Sequence, residues 1–258
     1  YAAGGSFAAG GGQPTGKRHG AHDSWRGQPC FSSLPAGKQL ATMRIAPLVP
    51  TGCTAGTTGL ITNGSRGRKL VALTFDDGPS TYTNGFLDLL ADHKVRATFY
   101  VLGENVSRYP EQARRIVAEG HEIANHTMHH GFYPGRGDLR QTSSLITATT
   151  GFRPCTFRPP GGAYNSGVIN AAAAVGGMPT VMWDVDTNDW RQPGSGAIRS
   201  SITGARSGSI VLMHDGGGPR GQTLSALGGA IRTLKQRGYR FTTVAELLGG
   251  RLHVAARR

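Results

Sequence analysis

The sequence predicts an α/β protein, about seven strand–helix units around a parallel sheet, preceded by a glycine-rich extension. Three observations predict it. From Lys69 onward short apolar runs alternate with stretches of helical periodicity, the pattern of strand–helix units repeated around one sheet. A chain of 258 residues is long enough for one sizeable core without a second domain. Residues 1–67 hold 14 of the 40 glycines and a single acidic residue, Asp23, a composition poor in core-forming material. The expected boundaries are therefore an extension over 1–67, partly disordered, a catalytic-size domain over 68–250, and a basic tail over 251–258.

Element by element, Leu70 to Phe75 reads as a buried strand that ends in the turn Asp76-Asp77-Gly78-Pro79. Phe86, Leu87, Leu89 and Leu90 form a helical stripe, Ala97 to Leu102 a second strand, and Pro110 to Glu119 a helix closed by Gly120. Glu122 to Ala124 starts a short strand. Asp138 to Thr150 reads as a helix capped by Asp138 and ended by Gly151, followed by a strand-like Thr156 to Arg158. Ile169 to Val175 is helical. Thr180 to Trp183, Ser209 to Met213 and Tyr239 to Phe241 read as further strands, separated by helices near Ala197 to Ala205 and Leu224 to Arg237. Within the extension, Leu34, Leu40, Met43, Ile45, Leu48 and Val49 supply enough apolar surface to dock on the larger body.

The chain carries 28 Lys and Arg against 15 Asp and Glu, a net charge of +13, which favours an anionic partner such as an acidic cell wall. No Lys/Arg-rich block and no zinc-finger or RNA-binding signature is present, so nucleic acid is not the expected partner. No run of 18 apolar residues exists to span a membrane. The start at Tyr1 without a leader suits a processed secreted chain, and secretion or cell-wall association is the expected localisation. Of the three cysteines, Cys30 and Cys53 are the expected pair in an oxidising compartment, leaving Cys155 over. The expected oligomeric state is a monomer.

In parallel α/β arrangements the reactive side chains gather at the carboxyl ends of strands, and the chemical candidates fall there. Asp76 and Asp77 are adjacent carboxylates whose mutual repulsion a cation would balance, one carboxylate binding it and the other left as a base. A solvated turn before Gly78-Pro79 is the competing reading. His126 and His130 are four apart, so on a helical turn or a tight loop both imidazoles can face one point. Two His and one carboxylate leave an open coordination position, as a hydrolytic metal needs. A polar loop is the alternative. Arg158, fixed in direction by Pro159 and Pro160, can fork onto a carboxylate and keep it ionised. Gly161 and Gly162 let the backbone approach a ligand and offer an N–H to an oxyanion. His214 ends an apolar strand, and a carboxylate beside it, with Asp189 the candidate, would keep it protonated as a general acid. Trp190 is either core or a flat surface for a sugar ring.

Taken in order, Thr74-Phe75-Asp76-Asp77-Gly78-Pro79, His126-Thr127-Met128-His129-His130, Arg158-Pro159-Pro160-Gly161-Gly162, Asp186 to Trp190 and Leu212-Met213-His214 resemble the polysaccharide deacetylases of carbohydrate esterase family 4. The resemblance covers about Lys69 to Leu248. It implies a distorted (β/α) barrel with one divalent metal, zinc first and cobalt or nickel as alternatives, held by Asp77, His126 and His130. By the same resemblance Asp76 is the base, Arg158 orients it, Asp189 tunes His214 as acid, Gly161 supplies the oxyanion N–H, and Leu212 with Trp190 lines the acetyl pocket. One departure is Gly161, where many members carry Tyr, which is expected to open the wall of the groove. The expected function is metal-dependent removal of acetyl groups from an N-acetylglucosamine-containing polysaccharide, peptidoglycan or chitin and its oligosaccharides. The rivals are an acetylxylan O-deacetylase using the same site and a non-catalytic carbohydrate-binding module.

Overall fold

The computed structural model describes residues 48–256. Its first strand, β1 (Leu48–Thr54), lies antiparallel to the last, β10 (Arg251–Ala256). Stretches expected to belong to the extension and to the tail are thus paired with each other. A disulfide ties β1 to the body through Cys53 and Cys155, 102 residues apart. This overturns the expected Cys30–Cys53 pair, because the sulfur of Cys53 is already taken. Cys30 and the docking residues Leu34 to Ile45 lie outside the described residues.

The body is a parallel sheet wrapped by helices. β2 (Leu60–Ile61) is followed by β3 (Leu70–Gly78), α1 (Thr83–Asp92), β4 (Thr98–Val101), α2 (Gly103–Arg108), α3 (Pro110–Ala118) and β5 (Glu122–Asn125). Next come α4 (Arg136–Thr150), α5 (Ser166–Ala173), β6 (Thr180–Val181) and β7 (Val185–Asp186). The chain then runs through α6 (Ser195–Thr203), β8 (Ser209–His214), α7 (Gly221–Gln236), β9 (Arg240–Phe241) and α8 (Val244–Leu247). Strand order is β5-β4-β3-β8-β7, with β9 also beside β3 and β2 beside β6. Isolated parallel bridges from Phe157 to Asn125 and to Thr180 link β5 to β6. The result is a distorted barrel that does not close among the described residues.

Alternation along the strands sorts side chains between two environments. Val71, Leu73 and Phe75 of β3 join Phe99, Val101, Val211 and Met213 in the large core under the helices. Ala72 faces the barrel interior with Tyr100, Ala124, Val181 and Ile210. Burying those apolar faces is the main stabilising term, at about 25 cal/mol per Å² of apolar surface removed from water. The interior also holds Glu122, fully buried and accepting hydrogen bonds from Thr98, Thr156 and the Ala245 N–H.

Several local expectations are corrected. The helix from Arg136 to Thr150 starts after Gly135, two residues earlier than expected, and Asp138 does not cap it. Its carboxylate instead accepts the Met128 N–H of the histidine loop. Thr156 to Arg158 forms bridges at Phe157 only, because prolines at 154, 159 and 160 remove ladder donors on both sides. Between β6 and β7 there is a three-residue turn and no helix, so strand and helix do not alternate throughout. The short helix α8 went unforeseen although Thr243 and Glu246 form a complete capping box.

Candidate active site

The site sits at the carboxyl ends of β3, β5 and β8, in a cleft of about 450 Å³. Register brings the parts together: on paired parallel strands, Asp76 of β3 stands opposite His214 of β8. Ordinary alternation would send Asp76 and Asp77 to opposite faces of β3. A bulge prevents this. Asp76 pairs with Tyr100 and Gly78 with Val101, leaving Asp77 as an extra residue at φ 68°. Both carboxylates therefore line one cleft. The left-handed conformation costs a non-glycine residue of order 1–3 kcal/mol, and the neighbouring chain is shaped around it. A Cβ at Gly217 would come within 2.4 Å of the Asp77 carboxylate, so only glycine fits there.

His126 follows β5, and His130 completes a loop, not a helical turn, with Thr127 and His130 both at positive φ. The Nε2 atoms of His126 and His130 lie 3.4 and 3.3 Å from Asp77 Oδ1. Ligand atoms of the three residues lie within 4.8 Å of one another. Three features fit this trio to a cation. Asp77 Oδ1 is buried and accepts no hydrogen bond. The His126 Nδ1–H donates to the Arg158 carbonyl at 2.8 Å, so in the neutral ring the Nε2 lone pair is turned toward Asp77. Facing lone pairs at that distance repel unless positive charge lies between them. Burial pushes the Asp77 carboxyl up, but the facing histidines more than reverse this and hold it far below the usual carboxylate range. The Asp77 carboxylate in turn raises His130.

Asp76 is buried beside this trio, and Arg158 holds it. The fully buried guanidinium donates from Nη1 to Asp76 Oδ1 at 2.8 Å and to Thr74 Oγ1 at 2.7 Å. Its remaining edges reach the carbonyls of Val181 and Met182, and its plane lies over the Tyr100 ring. The expected fork is thus absent: one N–H meets the carboxylate and the others brace the guanidinium against backbone.

His214 is gripped twice by Asp189. Asp189 Oδ1 lies 2.7 Å from His214 Nδ1, and Oδ2 accepts the His214 backbone N–H at 2.9 Å. Thr223 adds a third hydrogen bond to the same carboxylate. Burial lowers the His214 pKa, but the hydrogen bond and charge of Asp189, together with the charges of Asp76 and Asp77, outweigh it, so the net shift is upward. Asp189 moves the opposite way, its burial penalty overcome by His214.

Leu212 and Trp190 line the cleft, Trp190 at 51% exposure, so it is not a core residue. Gly161 also lines it, at φ 57°, and its N–H has no acceptor among the described residues. The Phe132 ring lies beside Gly161, its edge 2.8 Å from where a Cβ would stand, and is itself 63% exposed.

Sequence reasoning missed several supports. Thr74 and Thr223 brace the base's partner and the acid's partner. The Asn105 side chain donates to the Asp77 carbonyl at 2.8 Å. Asp215, wholly buried behind the site, is pushed up to about 7 by desolvation, and its N–H donates to the Asp76 carbonyl. Arg220 and Trp183 line the cleft. Thr74 stands inside the first motif and Asp215 directly follows the last, so both could have been flagged; Asn105, Thr223 and Arg220 carry no local signal.

A carboxylate–imidazole trio fit for one cation, beside a buried carboxylate held by arginine and a histidine held by aspartate, defines a metal-dependent hydrolase. Comparison with known proteins narrows that class. Residues 63–179 match the family described as polysaccharide deacetylase. Over 189 residues the chain is 43% identical to a peptidoglycan-N-acetylglucosamine deacetylase of Bacillus cereus, covering 70% of this chain and 88% of that protein. The crystal structure of the Bc1960 peptidoglycan N-acetylglucosamine deacetylase superposes with a TM-score of 0.69 at 31% identity, covering 81% of this chain and 96% of the other. A carbohydrate esterase family 4 pseudoenzyme from Bacillus anthracis matches at the same TM-score of 0.69 and 31% identity, over 74% of this chain and 69% of its own. The chain belongs to the polysaccharide deacetylases, carbohydrate esterase family 4.

Proposed function

We propose that the protein hydrolyses N-acetyl groups of an N-acetylglucosamine-containing polysaccharide, peptidoglycan or chitin-type, with zinc at Asp77, His126 and His130. The observation that carries the reading is the unpartnered Asp77 Oδ1 facing two imidazole nitrogens beside the Arg158-held Asp76. Two nitrogen donors and one carboxylate suit zinc, with cobalt or nickel as substitutes. When bound, such an ion polarises the acetyl carbonyl and lowers the pKa of water to roughly 7 in favourable sites.

The chain's own residues do the rest. Arg158 fixes Asp76 so that its free oxygen can take the proton of the attacking water. Gly161 lines the cleft, and its N–H is the donor proposed for the oxyanion of the tetrahedral intermediate. His214, kept protonated by Asp189, delivers a proton to the sugar nitrogen as the C–N bond breaks, releasing acetate. Leu212 supplies an apolar wall for the methyl group, and Trp190 a face for the sugar ring.

A non-catalytic role is the reading that the Bacillus anthracis pseudoenzyme keeps open, and the presence of Asp76, Asp77, His126, His130, Arg158 and His214 in one connected cleft disfavours it. The buried Cys53–Cys155 disulfide supports a secreted or wall-associated protein, since such bonds persist in oxidising compartments. The deciding experiment is acetate release by metal-stripped and zinc-restored protein on chitooligosaccharides, peptidoglycan and acetylxylan. Zinc-dependent release from either amide polymer supports the reading. Release from acetylxylan alone makes the protein an O-deacetylase, and none from any substrate makes it a binding module.

A further inference from the structure

Arg220 is a buried cation in the cleft that the chemistry above does not use. It immediately precedes α7, is only 3% exposed, and lines the same cleft as Asp76, Asp77, His214 and Trp190. Its Nε donates to the Gly216 carbonyl at 2.6 Å, which fixes the side chain against the glycine loop behind Asp77. No carboxylate lies within ion-pair distance, and neither terminal nitrogen has an acceptor among the described residues. A guanidinium stays charged at any accessible pH, and burying it without a counter-ion is costly.

None of the cleft's own carboxylates pairs with it: Asp76 is held by Arg158, Asp189 by His214, Asp77 faces the two histidines, and Asp186 accepts only the Asn188 N–H. The start of α7 carries no acidic residue in its first turn and no side-chain cap, so its positive end adds to the field of Arg220. Resting on the deacetylase reading, we infer that Arg220 is a specificity-determining residue that pairs with a carboxylate carried by the glycan near the acetylated sugar. A guanidinium fork matches a carboxylate in shape as well as charge. The chain's net charge of +13 points to the same class of anionic polymer.

The test uses the full chain with zinc and three probes. These are peptidoglycan glycan strands freed of peptide and bearing lactyl carboxylates, the same strands with those carboxylates converted to methylamides, and chitopentaose. Acetate release is measured, and binding is followed independently by quenching of tryptophan fluorescence. The wild type should favour the carboxylate strands over the amidated ones by about tenfold, through KM, with the margin shrinking as salt rises. Arg220→Gln should bring that ratio close to one, and Arg220→Lys should keep part of it. A strut that only holds the loop would leave the ratio of charged to amidated strands unchanged.

Equal handling of the two kinds of strand by the wild type overturns the inference, as does a full margin in Arg220→Gln. If Arg220→Gln does not fold, Arg220→Lys decides: a margin reduced from that of the wild type supports the inference, and a full margin overturns it. Absence of acetate from all three probes defeats the deacetylase reading instead, and the binding ratio still passes or fails Arg220.

Discussion

Arg158 and Asp76 form an ion pair of 2.8 Å with both side chains withdrawn from water, and Thr74 is bound to the same guanidinium nitrogen. Removing one member of such a pair strands the other's charge. Arg158→Gln should therefore destabilise the fold by about 3–5 kcal/mol, and adding Asp76→Asn should restore part of that loss. Denaturant melts of the single and double variants check this; additive losses would show that the two residues do not act as a pair.

The same geometry separates the base from the metal ligands. Asp76→Asn should abolish turnover and still bind one zinc ion. His126→Ala should lose zinc affinity by more than the roughly 10–100-fold typical of supporting residues. Zinc titration of both variants decides, and equal loss in the two would contradict the division of roles.

The Asp189 carboxylate raises His214. The acid must be protonated, so activity should fall as pH rises through that raised pKa. Asp189→Asn removes the first of the upward causes, ahead of the charges of Asp76 and Asp77, and the alkaline limb of the kcat profile should move to lower pH. An unmoved limb would remove His214 as the titrating acid, and His214→Ala should hurt amide substrates more than esters.

His121 is buried against the Phe99 ring, with its Nδ1 accepting the Ala97 N–H, and desolvation pushes it down to about 4 from 6.5. Between those values the unfolded chain binds the proton and the folded chain does not, so this group's stabilisation is lost as pH falls from 6.5 to 4. The loss is about 3 kcal/mol. His121→Asn keeps an acceptor for Ala97 without the titration, so the stability gap between wild type and variant should narrow by that amount across the window. A constant gap would rule out His121 as the source.

Cys53 and Cys155 close a loop of 102 residues and clamp β1 to the body. Cys53→Ser should cost about 4–5 kcal/mol by the chain-entropy argument for loops of that length. Reduction should have a similar effect on the wild type, measured as a fall in Tm. Equal melting of reduced and oxidised protein would show that the bond contributes nothing.

Much of the site was legible because its chemistry is local in sequence. Asp76 and Asp77 sit side by side after an apolar strand, His126 and His130 are four apart, and Arg158 precedes two prolines. Alternating apolar runs marked β3, β4 and β8, and they are where expected to within a few residues. What misled was whatever depends on distant parts. Cys53 found Cys155 because β1 runs beside Arg153, a contact that no spacing encodes. Residues 251–256 looked like a charged tail and became a strand only because β1 offers them an edge.

The sequence by itself determined which groups are available and roughly where strands end, because side-chain type and apolar period are local properties. Only the tertiary structure decided how they meet. The β3–β8 register set Asp76 opposite His214, and a bulge turned Asp77 into the same cleft as Asp76. The Phe132 ring came to lie beside Gly161, and Arg220 was left in the cleft without a counter-ion among the described residues. Those outcomes follow from packing between segments far apart in the chain, where burial and steric fit act across the fold and leave no mark on neighbouring residues.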